Sequence, residues 1–200
     1  MGEVEAAVPR DRLGERTDAG LVRGLCEQRA EAHAQLYDRY AVGVHRFAMA
    51  RLGDEQAAED VVVETMVEAA RDIRRFNPVK GSFAAWVLGI ARRRVQMEIR
   101  RQKRRKAVPA TVQVSMDAVA EVGDGDDLAS STAARLDAQR KVAELRSLLS
   151  DMEMEVLVLS CVEKLSAREI GQVIGRSERA VHSILHRAKT KARERSVGDE

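Results

Sequence analysis

The stretch SAREIGQVIGRSERAVHSILHRAKTKARER, residues 166–195, holds the starts of two helices separated by a glycine. Ser166 and Glu169 have capping-box spacing, in which the serine oxygen and the glutamate carboxylate each accept a backbone N–H at the helix start. Gly175 can end that short helix, and Ser177 can cap the longer one that follows. A short helix, a glycine turn and a longer helix form the pattern of a helix-turn-helix.

The longer helix of this motif has an apolar side and a polar side. Val181, Leu185 and Ala188 recur at helical spacing and can face a core. In a helix-turn-helix the residues of the outer side can reach base edges in the major groove, and basic residues further along can meet phosphates. The same pattern also fits a charged helix in solvent, so the local pattern leaves both interpretations open. The residues on the turn and the outer side are Arg176, Ser177, Arg179, His182, Ser183, His186 and Arg187.

The composition of the chain excludes several classes of protein. Its 200 residues are 44% hydrophobic and 33% charged, with a net charge of only +2, so total charge gives a weak argument for nucleic acid. No run approaches the roughly 18 apolar residues of a membrane span, and the N-terminus lacks the apolar core of a signal peptide. We therefore expect no membrane insertion and a cytoplasmic location. Cys26 and Cys161 are predicted to be buried free thiols rather than a disulfide.

Residues 17–106 show helical periodicity and almost no strand pattern. Thr17 or Asp18 is predicted to cap a first helix, Gly53 to end the second, and Asp54 to cap the third. Pro78 disfavours helical geometry in Asn77 and should end that third helix nearby. Ser82 is predicted to cap a fourth helix that runs towards Arg105.

Residues 107–134 form an acidic segment with no lysine or arginine, punctuated by glycine, proline and serine. Its acids are Asp117, Glu121, Asp124, Asp126 and Asp127. This composition predicts a flexible linker. The fold class is therefore all-α, with two helical domains joined by a flexible acidic linker. The predicted divisions are a tail at 1–16, domains at 17–106 and 135–195, and a tail at 196–200.

The segment FNPVKGSFAAWVLGIARRR, residues 76–94, places aromatic residues beside a triple arginine. Between Arg92 and Lys106 there are nine basic residues and one acid, Glu98. Aromatic rings with cationic neighbours suit unpaired bases, because stacking tolerates any base while the cations hold phosphates. The alternative is that Phe83 and Ile90 are core residues at helical spacing, and Trp86 fits either interpretation.

Residues 53–73 combine an apolar helix with a stripe of acids, namely Glu55, Glu59, Asp60, Glu64 and Glu68. Paired carboxylates can serve acid–base catalysis, but no nucleophile, histidine or phosphate-cradling loop accompanies them. The stripe therefore predicts a protein-docking surface or a solvated face, and no enzyme. His182 and His186 supply only two potential ligands, which do not close a zinc site, so no metal and no cofactor are expected.

Three segments together resemble a known family. They are QLYDRYAVGVHRFAMARLGDEQAAEDVVVET, RFNPVKGSFAAWVLGIARRR and LSAREIGQVIGRSERAVHSILHRAKTKARE, in this order with a linker between the last two. Their order and spacing resemble those of bacterial RNA polymerase sigma factors of the extracytoplasmic-function (ECF) type. In that family the N-terminal domain contacts the polymerase clamp and the promoter −10 element, and the C-terminal helix-turn-helix reads the −35 element.

The resemblance implies roles for particular residues. Asp60, Val63 and Glu64 would lie on the polymerase-binding helix. The residues implied in −10 recognition and melting are Asn77, Val79, Lys80, Trp86, Arg92 and Arg93. Arg176, Arg179, His182, Ser183 and His186 would face the −35 groove. The implied partners are the clamp and flap of RNA polymerase core, promoter DNA and an anti-sigma factor, with no small-molecule substrate.

The chain departs from the usual family pattern at several positions. The family usually has glutamine at Val63, an aromatic pair at Met66 and Ala70, and aspartate at Met97, and it often has lysine and arginine at His182 and Ile184. The last two departures imply an unusual −35 sequence or a weaker intrinsic affinity for it. Two other classes stay open, a helix-turn-helix regulator that acts without polymerase and a sigma-like adaptor that sequesters an anti-sigma factor.

Overall fold

A computed structural model describes residues 13–107, 140–161 and 163–197, and within these ranges the regular structure is helical throughout. The N-terminal domain contains α1 (Leu13–Cys26), α2 (Ala30–Leu52), α3 (Glu55–Arg71), a 3-10 turn (Ile73–Arg75) and α4 (Phe83–Ala107). The C-terminal domain contains α5 (residues 140–148), α6 (Asp151–Cys161), α7 (Ala167–Ile174) and α8 (Glu178–Val197). The all-α prediction is confirmed, while most of the predicted linker lies outside the described residues.

The N-terminal domain is built around α2, which packs against α3 and α4. Phe47 and Phe83 are its largest fully buried side chains. The connection between α2 and α3 is the predicted one. Gly53 ends α2 with a left-handed φ of 71°, and the Oδ1 of Asp54 accepts the backbone N–H of Ala57 at 2.9 Å. These local signals fix where α3 begins, and thereby which of its residues face solvent.

The first helix differs from the prediction. It begins at Leu13, so Thr17 and Asp18 lie inside α1 rather than at its start. The Oδ1 of Asp18 accepts the hydroxyl of Tyr40 on α2 at 2.8 Å, while Leu21 and Leu25 are buried. Burial and the bond to Asp18 raise the pKa of Tyr40, so the phenol stays protonated and donates. Asp18, a residue type typical of helix caps, therefore links α1 to α2 through a hydrogen bond.

The C-terminal domain packs α8 against α6 and α7. Ser166 and Glu169 form the predicted capping box at the start of α7, and Gly175 ends that helix with a φ of 69°. Gly171 faces the turn closely, since a Cβ there would lie 2.6 Å from the carbonyl oxygen of Arg176. Ser177 then caps α8 by accepting the N–H of Ala180 at 3.3 Å. The predicted helix-turn-helix is therefore confirmed.

The two domains are in contact, which the sequence did not indicate. Helix α6 packs on α2, and α7 packs on α4. Cys161 lies at the end of α6 and is exposed, and Cys26 is only partly buried, so the expectation of two buried thiols is wrong, although both are free. Cys161 follows the apolar run of α6, and a periodic pattern does not reveal which residue ends the buried face.

Candidate nucleic-acid interface

Helix α8 presents its predicted polar side to solvent. The exposed residues of the turn and helix are Arg176, Ser177, Arg179, His182, Ser183, His186 and Arg187, while Val181, Ile184 and Ala188 are buried and Leu185 is half-buried. Ile184 therefore belongs to the core and cannot face a DNA groove. The expectation that Ile184 alters the −35 preference is wrong, because its side chain packs inward beside Val181.

Glu153, at the start of α6, lies close to two basic residues of α8. Its carboxylate accepts Lys191 Nζ at 2.8 Å and the backbone N–H of Ser150 at 3.0 Å, and Arg187 lies 3.7 Å away. The bond from Lys191, followed by those from Ser150, lowers the pKa of Glu153 to about 2. Two basic residues of α8 are thus in contact with an acid of their own domain.

The loop before α4 is held by an aromatic cluster. Phe76 meets Phe83 edge-on with ring centroids 5.2 Å apart, and Trp86 lies 5.6 Å from Phe76. Asn77 Oδ1 accepts the backbone N–H of Val79 at 2.9 Å, which closes a tight turn. Val79 itself is 90% exposed. The loop therefore sits on a packed aromatic base while its tip projects into solvent.

A cavity of about 350 Å³ opens between this loop and the C-terminal domain. It brings together four of the residues assigned to −10 recognition, namely Asn77, Lys80, Trp86 and Arg93. Val79 and Arg92 do not line it. Its remaining wall includes Gln172 and Val173 of α7. The cavity therefore has an aromatic side, a cationic side and one wall from the C-terminal domain. An aromatic face beside two cations has the chemistry that holds an unstacked base.

All three consecutive arginines of α4 are bound to carboxylates. Arg93 Nη2 donates to Glu68 at 2.8 Å, Arg94 Nη1 donates to Glu64 at 2.9 Å, and Arg92 pairs with Glu155 of α6. Glu68 is 9% exposed and joins α3 to α4 through both Arg93 and Arg94. Arg92 and Arg94 thus have carboxylate partners and limited exposure, whereas the Arg93 side chain is paired but still 64% exposed.

The rest of the basic run lies on the last turns of α4. The exposed cations there are Arg100, Arg101, Lys103, Arg104 and Arg105. Together with Asp60 and Glu64 of α3, four of these arginines line a second cavity, of about 740 Å³. This groove has an acidic wall and a basic wall, and Met97, 58% exposed, lies between them.

The residues assigned to polymerase binding share one face of α3. Asp60, Val63 and Glu64 are all exposed, and Val63 is 58% exposed with Val67 beside it at 60%. Met66, by contrast, is buried. The departure at Met66 is therefore a change of core packing, whereas the departure at Val63 changes the surface.

The sequence did not reveal which residues of the C-terminal domain contact the N-terminal domain. Glu155 and Glu169 are the clearest examples, since they bind Arg92 and Ser82 of the other domain. One signal was available for Glu155. It lies with Glu153 inside the apolar run of α6, where a buried carboxylate needs a cationic partner.

The described part of the chain offers neither a cluster of metal ligands nor a membrane-spanning helix. No group of three or more metal-ligating side chains is found there. None of the described helices is long and apolar enough to cross a membrane.

Known families match both domains. Residues 36–105 match the family model described as Sigma-70 region 2, and residues 139–191 match the one described as Sigma-70, region 4. Among curated proteins, the ECF RNA polymerase sigma factor BldN of Streptomyces coelicolor is 32% identical over 160 residues. That match covers 80% of this chain, which spans only 58% of the length of BldN.

Solved structures show a similar fold. CnrH in complex with the cytosolic domain of CnrY has a TM-score of 0.67 at 23% identity, covering 92% of this chain and 99% of that one. The sigma factor RpoE of Bartonella quintana, in complex with the anti-sigma factor NepR, has a TM-score of 0.62 at 20% identity, covering 80% and 94%. With both family models matched in order on the two helical domains, and with ECF sigma factors among the relatives, the chain belongs to the ECF type of RNA polymerase sigma factors.

Proposed function

We propose that this chain directs RNA polymerase core to specific promoters and assists promoter melting. The observation that carries the proposal is that one chain presents two DNA-compatible surfaces of different chemistry. One is the exposed polar face of α8, and the other is the aromatic and cationic cavity beside residues 76–82. A protein that binds duplex DNA at one promoter element and unpaired DNA at another needs both kinds of surface.

The α8 face suits duplex DNA. Arg176 and Arg179 stand at the start of a helix whose N-terminal residues would reach base edges, and arginine binds guanine through two hydrogen bonds. His182 has Glu178 at 3.9 Å, one turn earlier on α8. The fixed positive charge of arginine attracts phosphate more strongly than an imidazole does, so recognition rests mainly on the arginines.

The cavity beside the loop suits a base taken out of the stack. Removing a base from a duplex costs a few kcal/mol, which contacts in the pocket must offset. Trp86 offers a ring for stacking, and Lys80 and Arg93 offer cations for the flanking phosphates. Arg92 and Val79 would act at the rim of the same site.

The exposed face of α3 is the proposed contact with polymerase core. It combines the apolar side chains of Val63 and Val67 with the acids Asp60 and Glu64, which is a mixed surface suited to a protein partner. The chain thus acts by binding in the cytoplasm, without catalysis, and a C-terminal contact with the flap completes the polymerase interaction. An anti-sigma factor is the proposed inhibitor, since RpoE of B. quintana was solved with one.

The test is reconstitution with core polymerase. The full chain is mixed with core, purified as a complex and used to transcribe a library of promoter fragments. Transcripts that start at sites sharing two sequence elements are the expected result. Duplex binding without core would instead identify a regulator that works alone, and binding to neither would identify an adaptor. The matched variants are Arg179→Ala, which should change the −35 preference, and Lys189→Ala, an exposed residue of the same helix, which should keep it.

A further inference from the structure

Two of the four histidines of the chain lie on the exposed side of α8. His182 and His186 are four residues apart, so their side chains are neighbours on the same side of the helix. Both are exposed, and the side chain of His182 is 66% exposed. The core of the domain is filled from the opposite side, by Val181, Ile184 and Ala188. The two imidazoles are therefore accessible to a ligand that approaches α8.

The charge of this side of α8 depends on pH. Residues 176–187 contain three arginines and one glutamate, which give a net charge of +2, and two protonated histidines raise that charge to +4. Histidine is the side chain that ordinarily changes its charge between pH 5 and pH 8. A polyanion lying on this surface therefore meets more positive charge in mild acid than in mild base.

Glu178 adds to this dependence. Its carboxylate lies 3.9 Å from Nε2 of His182, and the Glu178 side chain is 59% exposed. While the imidazole is neutral, the carboxylate repels a phosphate that approaches the helix. A proton on His182 turns the two side chains into an ion pair, so the same proton also offsets this repulsion.

The helices packed against α8 are α6 and α7, which meet its buried side. The charged residues of these two helices are Asp151, Glu153, Glu155, Arg168 and Glu169. Glu153 contacts α8 through Lys191 and Arg187, and its pKa of about 2 keeps it ionised above pH 5. The contact between α6 and α8 therefore keeps its charges over the range in which histidines change theirs.

We propose that His182 and His186 make binding of the −35 element pH-dependent, because each adds a phosphate contact when it is protonated. This proposal rests on the proposed function, since it concerns the side of α8 assigned to that element. The arginines supply a part of the affinity that does not change with pH, and the histidines supply a part that grows as the pH falls. Binding should therefore take up protons.

The experiment measures duplex binding at about pH 5.5 and pH 8 over a range of salt concentrations. One probe is a labelled duplex that carries the two elements recovered from the promoter library, bound by the chain with polymerase core. The other is a random-sequence duplex bound by the full chain alone. The wild type should bind both probes about tenfold more tightly at the lower pH, with a salt slope steeper by about 1.8, because each neutralised phosphate contributes about 0.9.

A double variant, His182→Gln with His186→Gln, removes both titrating groups and keeps the two positions polar. Its salt slope should be nearly the same at the two pH values. The double variant His182→Lys with His186→Lys should bind tightly at both, because lysine keeps its charge. His33→Gln changes an exposed histidine of α2 and should keep the pH dependence of the wild type. Circular dichroism at both pH values checks that each protein is folded.

Equal steepening of the salt slope in the wild type and the glutamine double variant would overturn the proposal, since other groups would then be responsible. A loss of affinity in that variant that is equal at both pH values would overturn it too, because the neutral rings would then be the binding form. So would equal binding by the wild type at the two pH values, or no binding to either probe.

Promoter transcription at pH 8 is scored separately and tests the proposed function. Transcripts from two-element promoters without an effect of pH on binding contradict only the proposal about the histidines. A pH effect on the random-sequence duplex without such transcripts supports the role of the histidines in DNA binding and contradicts the proposed function.

Discussion

Replacing Lys191 with methionine should destabilise the C-terminal domain in a pH-dependent way. The bond from Lys191 is the largest cause of the low pKa of Glu153, which falls from an ordinary 4.5 to about 2. A shift of this size corresponds to about 3 kcal/mol of stability shared among all the partners of Glu153. The Lys191 side chain is 41% exposed, so salt screens its part, and we expect Lys191→Met to cost about 1 kcal/mol.

The sign of the pH dependence follows from the lowered pKa. Stability from an ionised Glu153 is fully present above its unfolded pKa near 4.5 and is lost as the pH falls towards about 2. The difference between wild type and Lys191→Met should therefore be largest near pH 7 and should shrink in acid. Urea unfolding of the full chain, followed by circular dichroism at pH 7 and at about pH 2.5, measures it.

Lys189→Met is the control for the loss of charge alone, since Lys189 is exposed on the same helix. We expect its urea midpoint to stay close to that of the wild type. Equal destabilisation by the two substitutions would refute the reasoning, because a general charge effect would then explain both. A loss for Lys191→Met that is the same at both pH values would refute it as well, since most of the stability contributed by ionised Glu153 is lost between them.

Three further outcomes are expected. Arg179→Ala should relax the preference at one −35 position by about 1–3 kcal/mol in competition with point-substituted duplexes, and an unchanged preference at every position would contradict its proposed role. Lys103→Ala should weaken DNA binding uniformly and lower the salt slope by about one, so a slope equal to that of the wild type would count against a phosphate contact. Phe83→Ala should cost about 3–5 kcal/mol in thermal unfolding, because Phe83 is 1% exposed at the centre of the aromatic cluster, and a cost below about 1 kcal/mol would show that the cluster does not hold the loop.

Features set by neighbouring residues were predictable from the sequence. Gly53, Asp54 and the Ser166–Glu169 capping box stand where the prediction placed them, because each acts within a few residues of chain. The exposed face of α8 also follows from a 3.6-residue period. The residue type of Asp18 favours a helix cap, and only its partner on α2 shows its actual role.

The contacts between the domains could not be predicted in this way. Arg92 and Glu155 are 63 residues apart, and Ser82 and Glu169 are 87 apart, so no local pattern links them. The basic run of α4 shows the consequence. Its sequence neighbours include a single acid, Glu98, yet Arg93 and Arg94 are paired with acids of α3. Charge counted along the chain therefore overestimates the charge available to a ligand.

Arg146 of the C-terminal domain binds the end of a helix in the N-terminal domain. Its guanidinium donates to the carbonyl oxygens of Met49 and Ala50, in the last turn of α2, and fills the space beside Gly53 that a Cβ would block. The Met49 carbonyl also accepts the N–H of Gly53 at 3.0 Å, but a helix end leaves most of its last carbonyls without partners inside the helix. In Arg146→Ala water must take the place of the guanidinium there, so the last turn of α2 should exchange its amide hydrogens faster than in the wild type. Hydrogen exchange at the end of α2 thus reports on the contact between the two domains.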